Sequence, residues 1–321
     1  MKAFEYATAL STDSAQQLAA DNGQYLAGGN DLLGVLKEYL IDAKILVNIK
    51  SLPGLNKIEA GKTWKIGALV TVAEIENSAE VKKTFPGLQA AASEVGSQQI
   101  RNVATVGGNL SQHSRCWYFR HRDTVCLKKH GDLCYARNGE NRYHSLFTGK
   151  SNTCISPVVS NLATAFASLD ATVVVLREGK ETPMTITELY QTAFDDPYAH
   201  NSLKPGDLIL RVEIPTTHTS SAYLQMSDKH AFDWALVSCA AAGKVSGGKI
   251  SQPRVALGCI SPMPHQVKAA NDFLDGKTLD EATVSQAADM ILQGAEILEH
   301  NGYKVPIAHA LIRRTLLALK G

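Results

Sequence analysis

Two short apolar segments of this chain end in the same tripeptide, Gly-Gly-Asn, and this repeated ending limits the folds available to the sequence. One segment is YLAGGND at residues 25–31, and the other is VATVGGNL at residues 103–110. Glycine allows positive φ angles and lets the backbone approach a ligand closely. Successive N–H groups in such a turn form a concave site for an anion such as phosphate. Because both loops occur in one half of the chain, we interpret them as two walls around one diphosphate.

Neither glycine loop matches a common nucleotide-binding fingerprint. The order of the glycines fits neither G-x-G-x-x-G nor the P-loop, which disfavours a Rossmann site and an NTPase. The sequence also shows no nucleophile–base arrangement, zinc-hydrolase motif or paired-carboxylate signature. This pattern is typical of a chain whose cofactors supply the chemistry while the protein positions them.

Helical and strand patterns alternate around the two loops and predict a mixed α/β architecture. The predicted elements are helices at residues 11–22 and 31–40, a strand at 44–50, a hairpin-like pair around 61–64, helices that begin near Thr71 and Pro86, a helix at 158–170 and a buried strand at 171–178.

The last third of the chain has a different pattern, which begins after a polar boundary at residues 215–220. Three strands are predicted there, with SGGK as a hairpin turn between the second and the third. Helices follow, one of which is predicted to begin at a capping box of Thr278 and Glu281. The predicted strands lie at residues 222–227, 235–245 and 250–260, and the last predicted helix lies at 305–319.

The segment from Arg115 to Lys150, which follows the second glycine loop and precedes the next predicted helix, has neither helical nor strand periodicity. A structureless loop of this length inside a compact domain is unusual and is usually functional. Four cysteines lie in or just after it, with the spacing Cys-x9-Cys-x7-Cys-x19-Cys. The four cysteines contain no C-x2–4-C pair, which a zinc site usually has. The sequence also shows no secretory signal, so disulfides are not expected. An iron–sulfur cluster needs only four thiolates that converge in space.

The same segment is basic, with eight Lys and Arg residues against three acids in a chain of net charge +1. Cations would stabilise an anionic cluster with four thiolates. The competing interpretations are a solvated basic loop and a nucleic-acid patch in which Trp117, Tyr118 and Phe119 stack on bases. Nothing else in the sequence supports nucleic acid, and no apolar run reaches the ~20 residues of a membrane span.

Residues 25–33, 99–110 and 231–243 together resemble the FAD-binding medium subunit of the xanthine oxidase or molybdenum hydroxylase family. The resemblance covers almost the whole chain in the expected order, and it implies an α+β fold. A vanillyl-alcohol-oxidase (PCMH)-type FAD-binding domain is expected at 1–217, with α/β subdomains of about 1–55 and 56–217. A C-terminal domain with a three-stranded antiparallel sheet and helices is expected at 218–321.

In that family both glycine loops surround the FAD diphosphate. Relatives often carry a Ser-Asp pair that opens a later helix, whereas this chain has Ser160 and Asn161, so a charge is lost although hydrogen bonding is kept. Lys229 stands where relatives have a basic residue near the flavin, and a solvated surface lysine is the alternative. The implied FAD contacts are Ala27, Gly28, Gly29, Asn30, Asp31, Leu32, Thr105, Gly107, Gly108, Asn109, Asn161 and Lys229.

The motifs CWYFR and GENRYH resemble one branch of the family, whose flavin subunits carry an insertion with a [4Fe-4S] cluster. This branch includes 4-hydroxybenzoyl-CoA reductase and bacterial aldehyde oxidoreductases, and the insertion would lie at about 114–155. Cys239 and Cys259 lie on apolar strands and are predicted to be buried core thiols. The implied cluster ligands are Cys116, Cys126, Cys134 and Cys154, with His113, His121, His130 and His144 as alternatives.

The resemblance also implies partners. A large subunit would hold a molybdenum cofactor, where an aldehyde or an aromatic or CoA-thioester compound reacts, and a small subunit would relay electrons through two [2Fe-2S] clusters, in a dimer of heterotrimers. This chain would connect them to ferredoxin, quinone, NAD(P) or oxygen. Two hypotheses stay open beside it: a non-catalytic assembly subunit with a structural metal loop, and a stand-alone flavin oxidase. The N-terminus has no apolar segment, so a cytoplasmic location is expected, or a periplasmic one if a partner carries an export signal.

Overall fold

The computed structural model describes residues 1–149, 153–229 and 232–320, so Lys150 of the basic segment and Ala231 of the third family motif lie outside the described residues. The chain begins with a parallel sheet of three strands in the order β1-β3-β2, on which two short helices pack. These elements are β1 (Glu5–Thr8), α1 (Thr12–Ala19), β2 (Gly23–Leu26), α2 (Leu32–Lys37) and β3 (Ile45–Asn48).

The carboxyl end of β2 leads directly into the first glycine loop. In the sheet, Leu26 is paired with Asn48 of β3, and the N–H of Ile49 donates to the Leu26 carbonyl. Helix α2 begins at Leu32, immediately after the loop. A ligand crevice at the carboxyl edge of a parallel sheet is a recurrent arrangement in α/β folds. The predicted helix, loop and strand of this region are thus confirmed, with shorter helices than the sequence pattern indicated.

A second sheet of five strands, all antiparallel, follows in the order β4-β5-β8-β6-β7. The predicted hairpin pair is confirmed as β4 and β5, and Thr71 and Pro86 do open helices, Thr71 through a capping box with Glu74. The strands are β4 (Ile58–Glu59), β5 (Thr63–Gly67), β6 (Thr172–Arg177), β7 (Lys180–Thr185) and β8 (Leu208–Pro215). The helices are α3 (Val72–Asn77), α4 (Ala79–Thr84), α5 (Pro86–Ser93), α6 (Gln98–Arg101), α7 (Val106–Leu110), α8 (Trp117–Arg120), α9 (Asn161–Ser168) and α10 (Ile186–Asp195).

The C-terminal part contains the predicted three-stranded antiparallel sheet, in the order β11-β10-β9. Positive φ angles at Gly247 and Gly248 form the predicted hairpin turn. The capping-box prediction at Thr278 is wrong: Asp280 caps the helix by accepting from the Thr283 N–H at 2.8 Å, and Thr278 instead bridges to Lys249. The elements are β9 (Ser220–Ser227), β10 (Ala235–Ser246), β11 (Lys249–Gly258), α11 (Lys268–Leu274), α12 (Glu281–Leu292) and α13 (Lys304–Ala318).

Strand β10 explains why its sequence is apolar without interruption. Alternate residues point to opposite faces of a strand. Ala240 and Ala242 join the core beside the five-stranded sheet, whereas Cys239 and Ala241 join a second core under α11, α12 and α13. Both faces of β10 are therefore covered. The prediction that Cys239 and Cys259 are core thiols is confirmed, since they are 0% and 2% exposed.

The described residues of the cysteine insertion, 114–149 and 153–155, are irregular as predicted, apart from α8 and a 3-10 turn at Leu127–Lys129. Its end is fixed to the C-terminal part, because the N–H groups of Leu146 and Phe147 both donate to the Ile260 carbonyl. Across the described ranges, no helix is both long enough and apolar enough to cross a membrane. The insertion thus lies between the two parts of the chain and contacts both.

Candidate cofactor sites

A cleft of about 870 Å³ runs along both glycine loops. Cavities of this size are typical of small-molecule and cofactor sites. We call it the glycine-loop cleft. Lys229 is exposed and does not line it. The predicted contacts that do line it are Ala27, Gly28, Gly29, Asn30, Asp31, Leu32, Thr105, Gly107, Gly108, Asn109 and Asn161.

The two loops come together because glycine leaves room for the backbone of the other segment. A Cβ at Gly28 would lie 2.1 Å from the Val103 carbonyl oxygen, which no side chain tolerates. Gly29 has φ of +74°, a conformation that favours glycine. Asn30 donates from Nδ2 to the Ile100 carbonyl at 3.2 Å and so links the first loop to the segment before the second. These contacts form a cradle for a ligand.

The second glycine loop differs from the expected turn, because Gly107, Gly108 and Asn109 lie in the first turn of helix α7. Thr105 caps this helix: its Oγ1 accepts from the Gly108 N–H at 3.2 Å. The N–H groups of Val106 and Gly107 already donate to the carbonyls of Val70 and Ala68. In the first loop, by contrast, no intramolecular acceptor within the described residues takes the N–H groups of Gly28, Gly29 or Asn30. The first loop therefore has more free donors for an anion.

Asn109 and Asn161 are both held by neighbouring side chains. Ser160 caps helix α9 and donates from Oγ to Asn109 Oδ1 at 2.6 Å. Asn161, the first residue of that helix, is 6% exposed and donates from Nδ2 to Gln225 Oε1 at 3.1 Å. The neutral amide thus lines the cleft while its side chain joins helix α9 to strand β9.

Asp31 ties the first glycine loop to the start of the cysteine insertion. Its carboxylate accepts from the His113 backbone N–H at 2.8 Å and contacts His113 Nδ1 at 3.0 Å. The guanidinium groups of Arg115 and Arg120 also pair with it. Burial alone would raise the Asp31 pKa, but the His113 hydrogen bonds and the two arginine charges outweigh it and hold the pKa well below its usual value. The sequence did not predict this ion cluster.

All four predicted cysteine ligands line one small cavity of about 10 Å³, roughly the space of a single water. We call it the thiol cavity. Cys126 and Cys154 are each 6% exposed. Burial raises the pKa of the Cys116 thiol to about 11, and a hydrogen bond with Cys154 lowers the pKa of Cys134. Every residue that lines the thiol cavity lies between positions 116 and 156, so one segment of the chain forms the whole cavity.

The residues that line the thiol cavity are of the type that an iron–sulfur cluster uses as ligands. Among the described residues, no three His, Cys, Asp or Glu side chains are close enough together to hold one metal ion. A [4Fe-4S] cluster takes four cysteine thiolates, one on each iron. The donor set of four cysteines around one enclosed space therefore fits a cluster.

Of the four alternative histidine ligands, His144 alone lines the thiol cavity in the described part of the chain. Its Nε2 lies 3.1 Å from Cys116 Sγ. Burial, together with the charge of Lys304, lowers the His144 pKa to about 4, so the imidazole is neutral. His113 is bound to Asp31, and His121 and His130 are exposed.

The positive charges of the insertion do not surround the thiols as the sequence suggested. Arg115 and Arg120 pair with Asp31, Arg137 with Glu296 and Arg142 with Glu140. Among the described lining residues, Lys128 is the one Lys or Arg side chain. Its Nζ donates to the Ala199 carbonyl at 2.6 Å.

The thiol cavity and the glycine-loop cleft share a wall. Phe119 lines the thiol cavity, and its ring centroid lies 4.9 Å from that of His200, which lines the cleft. His113, also in the cleft, packs against His200 at 4.8 Å. On the cleft side, the Arg115 guanidinium lies 4.7 Å over the Trp234 ring. Sequence reasoning missed His200, which no local motif marks, and Trp234, which lies within the motif at residues 231–243 but was not singled out.

Comparison with known families decides between the possible ligands of the cleft. The sequence model for the FAD binding domain in molybdopterin dehydrogenase matches residues 2–217, and that for the CO dehydrogenase flavoprotein C-terminal domain matches residues 221–319. The chain is an FAD-binding medium subunit of the molybdenum hydroxylase family. It is therefore an oxidoreductase subunit, and the predicted family and fold are confirmed.

Several medium subunits resemble the chain over nearly its whole length. The aldehyde oxidoreductase FAD-binding subunit PaoB of Escherichia coli K12 is 31% identical, covering 99% of this chain and 98% of its own. The carbon monoxide dehydrogenase medium chain of Hydrogenophaga pseudoflava is 26% identical, covering 98% and 96%. The crystal structure of quinoline 2-oxidoreductase from Pseudomonas putida 86 matches with a TM-score of 0.76 at 25% identity, covering 99% and 98%.

Substitution of Gly28 tests the role of the glycine-loop cleft in this medium subunit. Gly28→Ala is expected to strip most of the FAD, because the new Cβ would force the Val103 backbone away and open the cradle. Gly34→Ala is the matched control, since Gly34 lies in helix α2 and its Cβ would approach nothing closer than 3.8 Å. The measurement is the molar ratio of FAD to protein after gel filtration. Equal flavin in the two variants would contradict the assignment.

Proposed function

We propose that this medium subunit carries both FAD and a [4Fe-4S] cluster and transfers electrons between partner iron–sulfur clusters and an external carrier. The glycine-loop cleft would hold FAD. The thiol cavity would hold the cluster through Cys116, Cys126, Cys134 and Cys154. When bound, the two groups supply the redox chemistry. The observation that carries the proposal is the shared wall, in which Phe119 of one site packs on His200 of the other.

The protein's own contribution is to hold the two sites at a fixed separation. The free N–H groups of Gly28, Gly29 and Asn30 would bind the diphosphate, and helix α7 would close the other side. Asn161 would contact FAD from its place in the cleft wall. Lys229 stays a predicted contact, although its side chain is exposed and does not line the cleft. Phe119, 3% exposed, separates the thiol cavity from the cleft and excludes water between them.

The organic substrate would react on another chain. We propose a large subunit with a molybdenum cofactor and a small subunit with two [2Fe-2S] clusters as partners, in a dimer of heterotrimers. The similarity to an aldehyde oxidoreductase subunit favours an aldehyde as substrate over an aromatic or CoA-thioester compound. Ferredoxin, quinone, NAD(P) and oxygen are the candidate carriers. The proposed domain boundary at residues 217–218 lies between the two family matches.

Cofactor analysis of the protein purified without oxygen tests this proposal. We expect about one FAD with about four iron and four acid-labile sulfide per chain, as for one [4Fe-4S] cluster. Zinc without sulfide would support the alternative of a structural metal loop in an assembly subunit. Oxidation of an aldehyde by the isolated chain would support a stand-alone flavin oxidase. Either result would overturn the proposal.

A further inference from the structure

Lys128 is buried beside the thiols, in a position that the proposed function leaves unexplained. It is 8% exposed and lines the thiol cavity together with the four cysteines. The four arginines Arg115, Arg120, Arg137 and Arg142 pair instead with Asp31, Glu296 or Glu140. Lys304, the nearest buried lysine of the C-terminal part, donates to the Cys259 carbonyl at 2.9 Å and does not line the cavity. Lys128 is thus the one cation of the described residues aimed at this space.

Its ammonium group is held in place by a main-chain acceptor. Nζ donates to the carbonyl of Ala199 at 2.6 Å, and no carboxylate within the described residues forms an ion pair with it. A lysine that is buried without a carboxylate partner requires compensation by another anion. The groups that interact with it electrostatically are the thiols of Cys116, Cys126 and Cys154 and the carboxylate of Asp196, which forms no ion pair with it in the described part of the chain. Ionised thiols would thus place further negative charge next to this buried ammonium group.

We propose that Lys128 sets the reduction potential of the [4Fe-4S] cluster by compensating its negative charge. This inference rests on the proposed function. One-electron reduction adds a negative charge to an already anionic cluster with four thiolates. A fixed buried cation stabilises the more negative state more strongly, because interactions between charges are strong away from water. Net charge near a cluster is one of the main factors that set its potential. Loss of the cation therefore lowers the potential.

The hydrogen bond of Lys128 also affects the glycine-loop cleft, on the other side of the shared wall. Ala199 and His200 both line the glycine-loop cleft, so the Lys128 hydrogen bond anchors the cleft wall to the thiol cavity. The same side chain thus compensates the cluster and fixes the segment between the two sites. Lys128 itself does not line the glycine-loop cleft, so Lys128→Arg, which keeps a donor and the charge, is expected to retain its flavin.

The test compares Lys128→Met and Lys128→Arg with Lys129→Met in the purified holoprotein, by redox titration of the cluster followed by electron paramagnetic resonance. Lys129 is the matched control, since its Nζ donates to the His121 carbonyl and its side chain does not line the cavity. Lys128→Met is expected to shift the reduction equilibrium at least tenfold toward the oxidised cluster, which equals 59 mV for one electron. Lys128→Arg, which keeps the charge, and Lys129→Met are expected to titrate close to the wild type.

The possible outcomes distinguish a failure of the proposed function from a failure of the role of Lys128 alone. A wild-type protein without iron and sulfide overturns the proposed function, and the role of Lys128 with it. A cluster whose potential is the same in the wild type and in Lys128→Met overturns the role of Lys128 alone. An equal shift in the Met and Arg variants overturns it too, because packing rather than charge would then be responsible. If Lys128→Met loses its cluster, retention in Lys128→Arg supports the charge role, and loss in both refutes it.

Discussion

Cys126→Ser is expected to abolish the iron and sulfide of this medium subunit while leaving its FAD in place. Cys126 is 6% exposed and lines the thiol cavity with the three other cysteines. A serine hydroxyl is a far weaker ligand for iron than a thiolate, and a cluster of this type depends on four cysteines. The expected result is a fall from about four iron per chain to near zero. Iron and sulfide analysis together with the visible spectrum measures it.

The retained flavin follows from the geometry. Cys126 lies in the part of the insertion that faces the thiol cavity, and it does not line the glycine-loop cleft. Cys239→Ala is the control, because Cys239 is a fully buried thiol of the C-terminal core that lies outside the cavity. It should keep its iron despite the loss of a cysteine. Wild-type iron in Cys126→Ser would refute the ligand assignment, and parallel losses in both variants would indicate general destabilisation.

The sequence predicted best the features that depend on short stretches of chain. The first glycine loop, the three C-terminal strands and the hairpin turn at Gly247 and Gly248 each follow from a few adjacent residues. The four cysteines could also be grouped, since they lie within about 40 residues of each other and no zinc pattern competed. The fold required more than these patterns, and the resemblance to a family supplied the order of the domains.

The predictions that differ from the structure share one physical cause, which is competition among nearby partners. Thr278 was expected to cap a helix, but Asp280 lies closer to its first turn and caps it instead. The second Gly-Gly-Asn was expected to be a turn, but it lies in a helix that Thr105 caps; its binding of an anion stays a prediction. Local sequence offers several possible partners for a polar group, and only the packed chain determines which one is used.

The charges of the insertion show the same limit at long range. Their sum indicated an anionic group nearby, but Asp31, more than 80 residues away in sequence, binds two of the arginines. Charge counts contain no information on such pairings. Among the described residues that line the thiol cavity, Lys128 is the one Lys or Arg, whereas Arg115 and Arg120 join the insertion to the first glycine loop.

Asp31→Asn is expected to lower the free energy of unfolding by about 3 kcal/mol and to reduce FAD binding. The substitution keeps the shape of the side chain but leaves Arg115 and Arg120 without their shared counterion. Removing one partner of a buried ion pair typically costs about 3–5 kcal/mol, and the partial exposure of these side chains places the effect at the lower end. The flavin loss follows because Asp31 anchors the first glycine loop to the insertion. Urea unfolding and flavin content measure the two effects.

The pH dependence of the stability difference between wild type and Asp31→Asn tests whether the Asp31 carboxylate is the group that stabilises the fold. The folded-state pKa of Asp31 is lowered, so its contribution to stability is fully present above the unfolded value of about 3.9 and is lost as the pH falls through the folded value. The stability difference between wild type and Asp31→Asn should therefore stay constant from pH 8 to pH 5 and shrink only in more acidic solution. Asp21→Asn is the control, since the Asp21–Lys44 pair is exposed and such pairs contribute at most about 1 kcal/mol. A difference that changes between pH 8 and pH 6 would instead assign the stabilisation to a histidine, the side chain that titrates in that range.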